Sequence, residues 1–251
     1  MWRLRGGAAT VVALALAGCG DSGDNPEPVA PQAVADGAAE LTRAVGVMQR
    51  KGTAEFTLTY TSDGVPSGQD GIEARGAGIV DFANTRAMYR IRYDEAPDVP
   101  SGTEIELFSD GAETYARASG TREPWELQEP DIVASGPADS FEYIATDTVG
   151  VHKTGTKTVA GRACTVYDGK LDFARIRVRT PAARRAEFDR RTHGVKLQDF
   201  SVCIDKGHVV REYDVEVRVP GGGDFVLRLV SRYTRVGSAE PLRALKASEK
   251  A

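Results

Sequence analysis

The chain has 251 residues, 41% of them hydrophobic and 27% charged, an ordinary globular composition. Its formal net charge is −4 and its isoelectric point is near 5.5. These values argue against nucleic acid as a partner, because such binding rests on excess basic charge. No apolar run reaches the roughly 20 residues of a membrane-spanning helix, so the chain is expected to be anchored rather than threaded.

The N-terminus carries a targeting signal. Arg3 and Arg5 precede an apolar run from Ala8 to Ala17. A basic flank followed by a short apolar core reads as a signal peptide over residues 1–18. The run closes in Leu16-Ala17-Gly18-Cys19, which resembles the lipobox of bacterial lipoproteins. That resemblance implies cleavage before Cys19 and acylation of its thiol, with palmitate-type chains anchoring the protein. Anchoring is stable only with more than one acyl chain, a condition that a diacylglyceryl group meets. The expected location is extracytoplasmic: the outer face of the cytoplasmic membrane, the periplasm or the wider envelope.

Residues 19–35 contain Pro26, Pro28 and Pro31 among small polar residues and read as a lipidated, flexible tether. A single domain is expected over 36–236. Ala38, Leu41, Ala44, Val45 and Met48 recur at helical spacing before Gly52. The following segments read as strands. Phe56, Leu58 and Tyr60 alternate with threonines, and Ile79–Phe82 and Ala87–Tyr93 come next. Ile105–Ser109 and Ala112–Ala118 flank Asp110-Gly111, a hairpin signal. Asp139–Ala145 reads as a short helix. Thr156–Tyr167 and Leu171–Arg179 flank Asp168-Gly169, read as another hairpin. Thr180-Pro181 reads as a cap for a helix to about Arg191. Odd positions from Val209 to Val219 are apolar except Arg211, and even positions from Glu212 to Arg218 are charged. Phe225, Leu227, Leu229 and Tyr233 alternate with arginines. Such patterns describe an antiparallel sheet with one face on a core and one in water. Residues 237–251 read as a polar C-terminal tail that frays.

With Cys19 acylated, Cys164 and Cys203 remain as a pair. An oxidising compartment favours a disulfide between them; two buried free thiols are the alternative. No nucleophile elbow, zinc-protease helix or phosphate loop occurs, and His152, His193 and His208 are scattered. Glu104 with Glu106, and Asp214 with Glu216, sit two apart on strands and so share a solvent face. The expectation is a protein that is not an enzyme, with no catalytic residue, metal or cofactor. Charge is uneven: residues 51–150 hold 7 basic and 19 acidic side chains, whereas residues 151–200 hold 12 and 5. Arg184 and Arg185 in the basic stretch are candidates for anionic lipid headgroups. A solvated face paired with the acidic half is the other reading.

Several segments carry a family resemblance. Phe56-Thr57-Leu58-Thr59 resembles the first strand, and Gly76 through Phe82 the second strand, of the LolA/LppX-like bacterial lipoproteins. Tyr167 through Asp172 resembles a hairpin recurring there. Val202 through Arg211 resembles a late hairpin with an Asp-x-Gly turn, where Cys203 replaces a large residue. The resemblance spans about residues 36–235. It implies an α+β, mainly antiparallel fold: a strongly curved half-barrel sheet with helices packed on its concave face. A closed barrel or a sandwich would also cover a one-sided sheet.

The resemblance further implies an apolar cavity for acyl chains, hence a membrane-anchored protein that binds or carries a lipid, glycolipid or other apolar ligand. Candidate lining residues are Phe56, Leu58 and Tyr60 on the first strand, with Met88 and Leu107 on the next ones. Phe173, Leu197 and Phe200 follow, then Tyr213, Val215, Phe225 and Leu227. The alternative is a protein-interaction or envelope-sensing lipoprotein on the same fold, with a packed core, no ligand cavity and partners that the sequence does not name.

Overall fold

A computed structural model describes residues 31–63, 71–96, 99–111, 113–128, 139–192, 195–218 and 226–251. Cys19, His193 and Phe225 lie outside them, as does the whole expected signal peptide. Helix α1 (Pro31–Lys51) opens the domain and starts inside the segment read as tether. Strands β1 (Thr53–Asp63), β2 (Glu73–Asp81), β3 (Arg86–Glu95), β4 (Glu104–Asp110), β5 (Glu113–Ala118) and β6 (Glu126–Leu127) follow. Next come α2 (Asp139–Ile144), β7 (Thr148–Val159), β8 (Arg162–Asp172), α3 (Phe173–Arg179), α4 (Arg185–Arg191), β9 (Leu197–Asp205), β10 (Val210–Arg218) and β11 (Val226–Thr234).

All eleven strands form one open antiparallel sheet in the order β6-β5-β4-β3-β2-β1-β11-β10-β9-β8-β7. The chain builds one wing outward from β1 to β6, crosses to the far edge and returns from β7 to β11 against β1. The sheet is a curved half-barrel, and neither a closed barrel nor a sandwich. Its concave face holds one continuous apolar cluster with Leu41, Ala44, Val45 and Met48 of α1 and Phe141 of α2. Among the described residues the helices lie mainly over β7, β9, β10 and β1, and α2 also reaches the end of β2, where Phe141 meets Phe82 at 4.8 Å.

Small residues on the concave side let the sheet curl. In β2, Gly76 and Gly78 stand opposite Leu58 and Phe56 of β1. A Cβ on Gly78 would lie 2.2 Å from the Met88 carbonyl oxygen and 2.4 Å from Tyr89 Cβ. A side chain there would push β3 away and flatten the bend.

The hairpin expected at Asp168-Gly169 is not present. β8 runs unbroken through both residues, and the β7–β8 turn is Ala160-Gly161, whose φ angles are 47° and 75°. Those positive angles are what a two-residue hairpin turn requires. Gly169 serves packing instead: its missing Cβ would fall 2.8 Å from Phe200 Cζ and 3.0 Å from Val151 Cγ2. The segment after Leu171 is also not a strand. Asp172 caps α3 by accepting from the Ala174 and Arg175 amides at 3.0 and 3.1 Å, and a capped end with two free amides satisfied favours helix. Arg211 breaks the β10 alternation because the register shifts there between Val210 and Glu212, as a bulge does.

The C-terminal tail does not fray. It lies as a strap across the outer face of the β1–β6 wing. Thr53 Oγ1 donates to the Ala239 carbonyl at 2.7 Å, and the Leu242 amide donates to the buried Asp81 carboxylate at 3.0 Å. The Trp125 amide then donates to the Glu249 carbonyl at 2.8 Å, and the Ala251 amide to the Trp125 carbonyl at 2.9 Å. Leu245 covers a second apolar cluster of Phe108, Tyr115 and Trp125. The polar composition of the strap hid these backbone bonds, which any residue can make.

Candidate functional site

The concave face is the candidate site, and strand register builds it row by row. One row across the sheet runs Ala116, Leu107, Tyr89, Gly78, Phe56, Tyr233. The next runs Ala118, Ile105, Ile91, Gly76, Leu58, Ser231, Tyr213, Val202, Tyr167. A third runs Tyr93, Ala74, Tyr60, Leu229, Val215, Phe200, Gly169. Directly opposed residues in a sheet share a face, so each row is a set of side chains in lateral reach of one another.

Phe56, Leu58, Tyr60, Leu107, Phe200, Tyr213, Val215 and Leu227 therefore stand together on this face, all within or against the main apolar cluster. Phe173 joins them from α3 and meets Phe188 of α4 edge-on at 6.1 Å. Met88 and Leu197 do not join. Met88 is 41% exposed and Leu197 49% exposed, each on the opposite face. The two-residue period places Met88 with Arg86, Arg90 and Arg92, and Leu197 with Asp199.

The two wings differ in how this face is closed. Under α1 and α2, Tyr213, Val202, Val151 and Leu41 are buried, and Phe141 sits 5.4 Å from Tyr233 and 6.2 Å from Tyr213. Across β1 to β5 and on β11, Tyr60, Ile91, Tyr93, Ile105, Ala116 and Leu229 are half-buried. This stretch is an apolar surface with partial access. Burial pushes the Tyr93 phenol up, and pushes those of Tyr213 and Tyr233 far up, so all three stay protonated donors at neutral pH. Ile91, Tyr93, Ile105, Ser231 and Tyr233 were absent from the candidate residues. The alternation of Tyr89, Ile91 and Tyr93 with Arg90 and Arg92 is the signal that locates the first two.

The outer face is a lattice of ion pairs. Arg228 is bidentate to Asp214 at 3.0 and 2.5 Å. Glu212 receives Lys157 at 2.5 Å and Arg232 at 2.6 Å. Glu106 lies between Arg90 and Arg117, as a charged strand face arranges itself and not as a catalytic carboxylate pair. Two open grooves indent this face. One of about 490 Å3 lies over Asp168, Asp199, Asp214 and Arg228, and one of about 570 Å3 over Arg75, Met88, Arg90 and Arg92. Cys164 and Cys203 form a disulfide here, with Cα atoms 5.5 Å apart, stapling β8 to β9 on the outer side.

The arginine-rich segment is largely committed to its own neighbourhood. Arg177 is bidentate to Asp189 at 2.6 and 2.8 Å, Arg179 pairs with the buried Asp147, and Arg175 with Asp172. Arg185 donates to the Thr180 and Val178 carbonyls at 3.0 and 3.1 Å, capping the end of α3. These partners are local, apart from Asp147, and the acidic half is instead paired within itself and with Arg235 and Lys250. Among the described residues no cluster of three His, Cys, Asp or Glu side chains could hold a metal ion. His208 Nδ1 lies 2.6 Å from Glu40 Oε1 and ties the β9–β10 turn to α1.

No family model and no curated protein matches the chain. Solved structures are similar to it. LprF from Mycobacterium bovis is 9% identical, with 84% of this chain and 97% of that one covered at a TM-score of 0.47. The Mycobacterium tuberculosis lipoprotein LppX is 13% identical, with 80% and 96% covered at 0.42. A LolA superfamily protein from Nitrosomonas europaea is 8% identical, with 84% and 96% covered at 0.32.

Proposed function

We propose that this protein is an extracytoplasmic lipoprotein, held to a membrane through acylated Cys19, that binds a lipid or other apolar ligand along its concave face. The observation supporting this most is the run of half-buried apolar side chains on the concave face, from Tyr60 through Ile91 and Tyr93 to Ile105. An acyl chain laid across these rows would remove their apolar surface from water, at about 25 cal/mol for each Å2. Binding of this kind needs no catalytic group and no cofactor. Among the described residues no helix is long and apolar enough to cross a membrane, so the attachment in this reading is the lipid on Cys19, with the segment before α1 as its tether.

The test is native mass spectrometry and lipid extraction on the full chain purified from its membrane in mild detergent. Co-purified lipid beyond the anchor itself is the expected result. A protein that carries none, and that neither binds added fatty acids nor displaces a fluorescent apolar probe, would overturn the reading. Cys19→Ala is expected to release the domain in soluble form, and retention on the membrane would remove the anchor from the proposal.

A further inference from the structure

Two buried hydroxyls on the concave face have at most each other. Ser231 and Tyr233 are successive concave-side residues of β11, 1% and 0% exposed; neither hydroxyl makes a hydrogen bond of good geometry, and the one hydrogen-bonding group that acts on Tyr233 is the Ser231 hydroxyl. Tyr213 stands directly across from Ser231 in the strand register. Ser231 and Tyr213 are also the polar neighbours that Tyr233 senses. Aromatic rings surround Tyr233: it lies 5.8 Å from Phe82, 6.4 Å from Phe56 and 5.4 Å from Phe141.

Such an arrangement is expensive for a core that only packs. An unpartnered buried hydroxyl costs about 1–3 kcal/mol, and roughly 90% or more of buried polar groups in folded proteins are partnered. Phe and Ala would fill the same space without that cost. Turning Ser231 and Tyr233 towards each other does not remove the excess, because a pair of hydroxyls holds two protons and uses one between them. Burial keeps both tyrosines protonated, so the surplus is one of donors. What the cluster lacks is an acceptor.

We propose that Ser231, Tyr213 and Tyr233 are a donor cluster for the carbonyl oxygen of an acyl ester or fatty acid whose chain lies along the concave rows. This rests on the lipid-binding reading above and narrows it to lipids with a carbonyl. A bare hydrocarbon would leave the donors unmet, whereas a carbonyl oxygen brings two lone pairs. Phe141 of α2 packs against both tyrosine rings.

The experiment is displacement of N-phenyl-1-naphthylamine from the full chain by methyl oleate and by 1-octadecene, two lipids of like chain length that differ in the ester. The wild-type protein should prefer methyl oleate by about tenfold, the value of one well-made buried hydrogen bond. Tyr233→Phe and Ser231→Ala should each cut that preference to about threefold or less, with octadecene affinity unchanged and the melting temperature unchanged or raised. Should Tyr233→Phe fail to fold, Ser231→Ala carries the comparison. A wild-type protein that binds both lipids equally, or variants that keep the full preference, would overturn the donor cluster and leave lipid binding intact. A wild-type protein that binds neither lipid overturns both.

Discussion

The two wings of the sheet are made of the same alternating strands and solve burial in opposite ways. The β7–β11 wing is closed from inside by α1, α2, α3 and α4 and stapled outside by Cys164–Cys203. Among the described residues the β2–β6 wing meets α2 only at its inner end, where Phe141 touches Phe82, and is braced outside by the C-terminal strap. Both wings feed one core, in which Val80, Ala87, Tyr89 and Leu107 are buried beside the residues under α1. The β2–β6 wing adds the half-buried Ile91, Tyr93 and Ile105, with its brace on the outer side. A binding surface needs that separation: the groups that hold the strands must not be the groups that meet the ligand.

The largest expected effect comes from equal truncations in the two wings. Leu41→Ala in α1, at 1% exposure, should cost about 2–5 kcal/mol in urea unfolding. Ile105→Ala on the half-buried concave side should cost under about 1.5 kcal/mol and weaken binding of apolar probes. Equal costs would mean that the second wing is as tightly packed as the first. Replacing both Cys164 and Cys203 with Ala should cost about 2–4 kcal/mol. Hydrogen exchange should then rise on β8 and β9 with β2–β5 little changed; a uniform rise would dissolve the distinction between wings.

Removing residues 238–251 tests the brace. It would strip the Leu242 amide from buried Asp81 and uncover Trp125, at a cost of about 2 kcal/mol. The sequence has two tryptophans, Trp2 and Trp125, so a chain lacking residues 1–18 reports on Trp125 alone. Its emission should shift to the red, and an unchanged spectrum would mean that the strap does not cover the ring.

The smallest effect is in acid. Burial pushes the Glu212 carboxyl up, but hydrogen bonds and charge from Lys157 and Arg232 outweigh it and hold the group below its ordinary value. Glu106 in the other wing is held low in the same way by Arg117 and Arg90. A carboxylate lowered on folding stabilises above its unfolded pKa of roughly 4.3, and that stability is lost as pH falls through the folded value. Both wings should thus weaken together below about pH 4, and Glu212→Gln should flatten the response of the β7–β11 wing alone. In the strap, hydrogen bonds from Arg243 and the Lys246 amide hold Glu249 at about 2.

Local pattern made much of this legible. Alternation of apolar with charged residues from Glu212 to Arg218 and around Arg228 located strands and their faces, because a pleated strand has a strict two-residue period. Gly52 and Asp110-Gly111 marked real chain reversals. The same period, applied to β3 and β9, would have moved Met88 and Leu197 to the outer face. Asp168-Gly169 misled because a glycine can serve a turn or a close approach, and only the position of Phe200 and Val151 tells which.

By itself, then, the sequence determined most of the strands and the sides of the strongly alternating ones, the cysteine pair left once Cys19 is set aside, and the Leu16–Cys19 segment that reads as a lipidation signal. These depend on residue order and short-range geometry. The tertiary structure alone decided that β1 closes against β11, that the polar tail becomes a strap, where α1 and α2 lie on the concave face, and that the Ser231 and Tyr233 hydroxyls are sealed together among aromatic rings. Those outcomes depend on contacts between segments more than a hundred residues apart, such as Thr53 with Ala239 and Asp81 with Leu242, and no local period encodes them.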